Sequence, residues 1–205
     1  MRVALIGDSQ SEALWPRMKK LLPNLEYVLT RTQRGWSEWH YHNEGKLAQE
    51  LKDAKPDVVV IELGGNNAFM SEDKYRPHVD WILEAARASG VKSIVYFGPA
   101  AATKDPYKGY KEWTRGFHSQ YLPSQPNVAW YDSFPYTQTG HVDGVHFGGK
   151  TYDAWAQVMA PLIDKATQTA VSTLSAPPRW ALWGGIGAVG SFLMIALLRR
   201  NRKRR

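Results

Sequence analysis

Ser9 stands where a nucleophile could stand. Val3 to Ile6 is an unbroken apolar run, the pattern of a strand buried on both faces of a parallel sheet. Gly7-Asp8-Ser9 interrupts it before a helical stretch over Glu12–Leu22. A serine between a strand end and a helix start lies at the carboxyl edge of the sheet, where ligands bind in open α/β folds. Near the other end of the chain, Asp143 and His146 sit three residues apart in His141-Val-Asp-Gly-Val-His146. One short turn of that spacing can hold a carboxylate against an imidazole. That contact fixes the ring's tautomer and stabilises the imidazolium formed when it takes a serine proton. The three residue types together are those of nucleophilic acyl chemistry. Taken alone, Ser9 is as readily a helix cap.

A serine nucleophile also needs donors aimed at the developing oxyanion. Gly35 offers a backbone N–H that a substrate can approach closely, and Asn66 offers a side-chain amide directly after the strongest strand. Their plainer roles are a turn glycine and an Asx-turn asparagine. His141 competes with His146 as base, though it lies closer in sequence to Asp143. His40-Tyr-His42 has no carboxylate pair beside it and is expected on a loop surface rather than around a metal. Trp36, Trp39, Tyr41 and Trp113 could line a groove that stacks on sugars, or could pack into core and rim.

These residues need elements to place them. Strands are expected at Leu25–Thr30, Asp57–Leu63, Lys92–Phe97 and Asn127–Asp132 as well as at the start of the chain. Asp57–Leu63, β-branched and nearly all apolar, is the strongest of them. Helical composition marks Glu44–Ala54, Asp73–Ser89, Lys108–Tyr121 and about Lys150–Ala170, while Arg31–Asn43 reads as a polar and aromatic loop. Pro16 predicts that the first helix starts near it or bends there. Strands alternating with helices predict an α/β domain in three layers around a parallel five-stranded sheet. Four separate sheet-edge loops then carry Ser9, Gly35, Asn66 and the Asp143–His146 pair.

Composition narrows the partners. The chain of 205 residues has no cysteine, which excludes disulfides and thiolate metal sites. Its formal charge is +7, yet from Met1 to Pro178 there are 19 Lys and Arg against 19 Asp and Glu. The excess is Arg179 plus six basic residues among 199–205, so a basic partner concerns only the tail. Trp180 to Leu198 is uncharged, and as a helix it would span about 28 Å, close to a bilayer's hydrocarbon core. Trp180 and Trp183 flank one end and the basic cluster the other. The expected organisation is therefore a domain over 1–172, a linker over 173–179, a transmembrane helix over 180–198 and a basic tail over 199–205. The tail would contact anionic lipid or nucleic acid. The positive-inside rule would keep it in the cytoplasm, whereas only Met1 and Arg2 precede the first strand and no signal peptide is expected, so orientation stays open.

Gly7-Asp-Ser9, Gly35, Gly64-Gly-Asn66-Asn67 and Asp143-Gly-Val-His146 follow in order the four blocks of the SGNH, or GDSL-type, hydrolase superfamily, which the chain resembles over roughly Met1 to Ala170. The resemblance implies a flavodoxin-like α/β fold, a serine esterase or acyl-hydrolase site, and no metal or other cofactor. It makes Ser9 the nucleophile and His146 the base, oriented by Asp143. The oxyanion hole would be the Ser9 N–H, the Gly35 N–H and the Asn66 amide. The chain departs from the pattern at Gln10, where the family often has Leu, at Ala13, where it often has Gly, and at Asn67, where it usually has Asp. Two functions are thus expected to compete. One is a membrane-anchored esterase acting on a small acyl ester, of an acetylated envelope glycan or a lipid. The other is a non-catalytic tethered binding or structural protein, for example in a membrane-containing virion.

Overall fold

Five strands, β1 (Arg2–Gly7), β2 (Glu26–Thr32), β3 (Val58–Glu62), β4 (Ser93–Phe97) and β5 (Val128–Tyr131), form one sheet in the order β2-β1-β3-β4-β5. All four pairings are parallel, as the alternation of strands and helices predicts. The computed structural model describes residues 1–69 and 71–175, with side chains through 170. The expected transmembrane run at 180–198, the basic tail and most of the linker lie outside those residues. Among the described residues no helix is long and apolar enough to cross a membrane.

Every side chain of β3 is buried, because the two faces of the strand feed two separate cores. Val3, Leu5, Val58 and Val60 pack with Leu14 and Trp15 of α1 (Ser9–Leu21) and with Trp155 and Met159 of α6 (Gly149–Ser175). Ala4, Ile6, Val59 and Ile61 face α3 (Lys46–Ala54), α4 (Glu72–Ala88) and α5 (Tyr107–Tyr121). This explains the unbroken apolar runs: a strand covered by helices on both sides has no polar face to alternate with. The three expected layers are present.

Two helix boundaries differ from expectation. The first helix starts at Ser9 and carries Pro16 in its interior, so of the two alternatives a start near Pro16 is excluded; the Asp8 carboxylate accepts the Gln10 N–H at 2.9 Å and caps the earlier turn. The stretch read as a loop over Arg31–Asn43 contains a helix, α2 (Glu38–Glu44). Its N-terminus is closed by the Ser37 N–H donating to His40 Nδ1 at 3.1 Å, with histidine where a glutamate usually marks a capping box.

The strand order places the switch in winding direction between β1 and β3, whose final residues Gly7 and Glu62 are paired. Chains leave these two strands toward opposite faces, opening a crevice at their carboxyl ends. Gly64 lets the chain turn there: its φ is +102°, and a Cβ would lie 2.7 Å from Thr114 Cγ2 and 3.0 Å from His118 Cε1.

The buried His118 makes this region sensitive to acid. It is fully buried behind the crevice, with Nε2 3.0 Å from the Tyr75 hydroxyl. Burial holds its pKa down at about 3, against an ordinary value near 6.5. Between those values the unfolded chain binds a proton that the folded chain refuses, so stability falls as pH drops from about 6.5 toward 3. We expect His118→Gln to flatten that part of the stability curve, measured as urea midpoints across the range.

Candidate active site

The Ser9 hydroxyl, in the first turn of α1, lies 2.9 Å from His146 Nε2. The other ring nitrogen, Nδ1, is 2.8 Å from Asp143 Oδ2. Asp143 Oδ1 accepts the backbone N–H groups of His146 at 2.7 Å and Val145 at 2.9 Å. Those backbone bonds first, and the imidazole second, hold the Asp143 carboxyl well below the usual carboxylate range. Nδ1 is accordingly the protonated nitrogen, and Nε2 is left to accept the serine proton. Residues 137 positions apart meet because the loop after β5 returns to the β1 end of the crevice.

That loop is firmly held. His141 and Phe147 form an antiparallel bridge, and Gly144 C=O accepts the Thr103 N–H at 2.9 Å from the segment after β4. Gly144 has a φ of +85°, and a Cβ there would come within 2.7 Å of Lys104 Cβ. His141, the rival base, turns away from Ser9, with Nε2 3.2 Å from Ala101 C=O.

Ser9, Asp143 and His146 line a cleft of about 560 Å³ together with Gly35, Asn66, Glu12, Arg34, Lys104, Tyr107 and Val145. Both expected oxyanion residues therefore reach the same space as the serine. The Ser9 N–H belongs to the first turn of a helix, where backbone donors have no intrahelical acceptor. Gly35 adopts φ +74° with nothing within 4 Å of where a Cβ would be. The Asn66 amide differs from expectation in one respect. Its Nδ2 lies 2.8 Å from Asp8 Oδ2 and 3.1 Å from Trp36 C=O, so both of its N–H groups already have acceptors.

Beside Ser9 and Asn66 lies a buried cluster that no local sequence pattern announces. Asp8, Glu62 and Lys111 are each at most 1 % exposed. Burial, reinforced by the charge of Asp8, raises the Glu62 carboxyl well above its ordinary range, and its Oε2 accepts the Ser11 hydroxyl at 2.8 Å. Burial also presses the Asp8 carboxyl up and the Lys111 ammonium down, while the charge of each favours ionisation of the other. Gly65 passes between them: a Cβ there would lie 3.1 Å from Asp8 Oδ2 and 3.2 Å from Lys111 Cε.

The remaining candidates are placed as follows. Tyr41 is fully buried and donates its hydroxyl to Gly7 C=O at 2.7 Å, a structural role. Trp113 packs against Tyr75 and Phe117 between α4 and α5. His42 lies on α2 rather than on a loop, with Nδ1 2.9 Å from His78 Nδ1. Among the described residues no three His, Asp or Glu side chains are grouped to hold a metal. Asn67 is buried and accepts the Phe69 N–H at 2.9 Å, as an aspartate could, but its Nδ2 also donates to Phe69 C=O at 2.9 Å and to Thr114 Oγ1 at 3.1 Å, as a carboxylate could not.

The fold is that of the GDSL-type esterases and lipases of known structure. A carbohydrate esterase family 3 protein from Talaromyces cellulolyticus superposes with a TM-score of 0.64 at 17% identity, over 82% of this chain and 99% of that one. The catalytic domain of peptidoglycan O-acetyltransferase A from Streptococcus pneumoniae, bearing a methylsulfonyl adduct, gives 0.59 at 22% identity, over 83% and 94%. A GDSL-like lipase from Bacteroides thetaiotaomicron gives 0.61 at 18% identity, over 80% and 88%. No family model and no curated protein matches the sequence.

Proposed function

We propose that the chain is a serine ester hydrolase that removes small acyl groups, with Ser9 as nucleophile, His146 as base and Asp143 as its orienting carboxylate. The observation that carries this reading is the hydrogen-bonded line Ser9–His146–Asp143 inside an open cleft. Ser9 Oγ attacks the ester carbon while His146 Nε2 takes its proton, and the carbonyl oxygen becomes an oxyanion. The Ser9 and Gly35 N–H groups and the Asn66 amide stabilise that charge. Collapse expels the alcohol, which leaves with the proton from His146, and Ser9 is acylated. Water then attacks the acyl-enzyme with His146 again as base, releasing the acid and the free serine. A tethered binding protein without catalysis would have no need for this alignment.

The cleft supports a short acyl group and a polar alcohol. Among the described residues Val145 and Tyr107 are the only large apolar side chains in its lining, too few to bed a fatty chain. The Tyr107 ring in that lining is partly exposed. An aromatic ring in a polar cleft suits a carbohydrate, which presents apolar ring faces and hydroxyl edges. Two of the similar structures, the carbohydrate esterase and the peptidoglycan O-acetyltransferase, accord with an acetylated glycan. The uncharged run at 180–198 is proposed to anchor the enzyme in a bilayer, with anionic lipid at the basic tail.

Hydrolysis of p-nitrophenyl esters of increasing chain length tests this reading. We expect kcat/KM for the acetate to exceed that for the decanoate by about tenfold or more, since each buried methylene needs apolar wall that the cleft lacks. A preference for the decanoate would contradict it. Activity should sediment with membranes and become soluble when Leu193 and Leu197 are replaced by Asp.

A further inference from the structure

Gln10 stands next to Ser9, and its side-chain amide is fully engaged although nothing in the reaction above uses it. Its Nε2 donates to Val145 C=O at 2.8 Å, and its Oε1 accepts the Tyr152 hydroxyl of α6 at 2.6 Å. Gln10 and Tyr152 are both buried, and so is the bond between them, while the Gln10–Val145 bond is part-buried. The Val145 carbonyl belongs to the same peptide unit as the His146 N–H, and that N–H is the one bound by Asp143 Oδ1. The peptide plane entering His146 is thus gripped at its oxygen by Gln10 and at its nitrogen by Asp143. A plane fixed at both ends has no libration left about its long axis, and the Cα–Cβ bond of His146 starts from a fixed direction.

We propose that Gln10, held by Tyr152, is a positioning residue that sets the approach of His146 Nε2 to the Ser9 hydroxyl. The Gln10–Val145 bond and the Ser9–His146 bond are two rungs between the same two chain segments. The first takes no part in the reaction, while the second is broken and remade in every turnover. Leucine in place of Gln10 would fill similar space but take away the side-chain donor to the Val145 carbonyl and the acceptor of the Tyr152 O–H. This inference rests on the reading of Ser9 and His146 as the hydrolytic pair.

The test compares Gln10→Leu and Gln10→Glu with the wild type on p-nitrophenyl acetate. Both variants should lower kcat about tenfold with KM changed less than about twofold, because a small misplacement of a base acts on the proton-transfer step rather than on binding. The downfield NMR signal of the His146 Nδ1–H should broaden in both. Gln10→Glu carries a sharper mark: a carboxylate repels the Val145 carbonyl, whereas the protonated acid can donate to it. The ratio of Gln10→Glu to wild-type kcat should therefore rise as pH is lowered from about 8 to about 5. Variants that lose stability but keep the wild-type kcat and the His146 signal would show a packing role only and overturn the proposal. So would a ratio that stays flat with pH. A wild type whose hydrolysis survives Ser9→Ala would remove the underlying reading itself, an outcome the Gln10 variants cannot produce.

Discussion

Ser9→Ala lowers kcat for p-nitrophenyl acetate by about a thousandfold or more, and His146→Ala by a similar factor. The double variant is no slower than either single one. Each residue is useless without the other: His146 has no hydroxyl to deprotonate without Ser9, and the Ser9 hydroxyl is a weak nucleophile without His146. What survives is the contribution of the donors lining the cleft, the Gly35 N–H and the Asn66 amide, which both variants keep. Ser9 and His146 are both only partly buried, so neither truncation opens a core cavity, and unfolding midpoints should stay close to wild type. Steady-state rates and urea unfolding of the three variants check both halves. Additive losses would mean that the two side chains act in separate steps.

The second large effect belongs to the floor of the cleft. Asp8→Asn should destabilise the domain by about 3–5 kcal/mol, because it leaves the ammonium of Lys111 buried without its counter-charge. Lys111 Nζ has no hydrogen-bond partner among the described residues. Burial presses its pKa down and that of Asp8 up, and each is opposed chiefly by the charge of the other or by a backbone bond. Removing both charges removes the conflict, so Asp8→Asn with Lys111→Met should regain most of the stability. Activity should behave differently. Asp8 Oδ2 holds the Asn66 amide, and an asparagine there loses the charge that strengthens that bond. The double variant should therefore stay at least about tenfold below wild type in kcat. Stability recovering without activity is the expected split, and activity recovering alongside it would place Asp8 among purely structural residues.

Much of this was legible because the signals are local. The apolar runs of β1 and β3 announce strands covered on both faces, and each is followed at once by its functional residue, Ser9 or Asn66. Asp143 and His146 are close in sequence, so their contact is a property of one turn. Helix α2 escaped notice because its start uses His40 in place of a glutamate, and seven residues give too short a span for a helical period to emerge. The Asp8–Glu62–Lys111 cluster was illegible for the opposite reason. Its members come from the turn between β1 and α1, from the last residue of β3 and from α5, and nothing in the local pattern around Lys111 marks that lysine as buried. Gln10 was visible only as a departure from Leu; its meaning needed Val145 and Tyr152, more than 130 positions away. Adjacent residues betray chemistry, and buried charge shows itself only when the elements are assembled.

The most direct measurement is mass spectrometry of the protein after reaction with a fluorophosphonate. One added phosphonyl group is expected, on the peptide carrying Ser9, and none in His146→Ala. An unlabelled wild type, or a label carried by any other residue, would overturn the assignment of Ser9 as nucleophile.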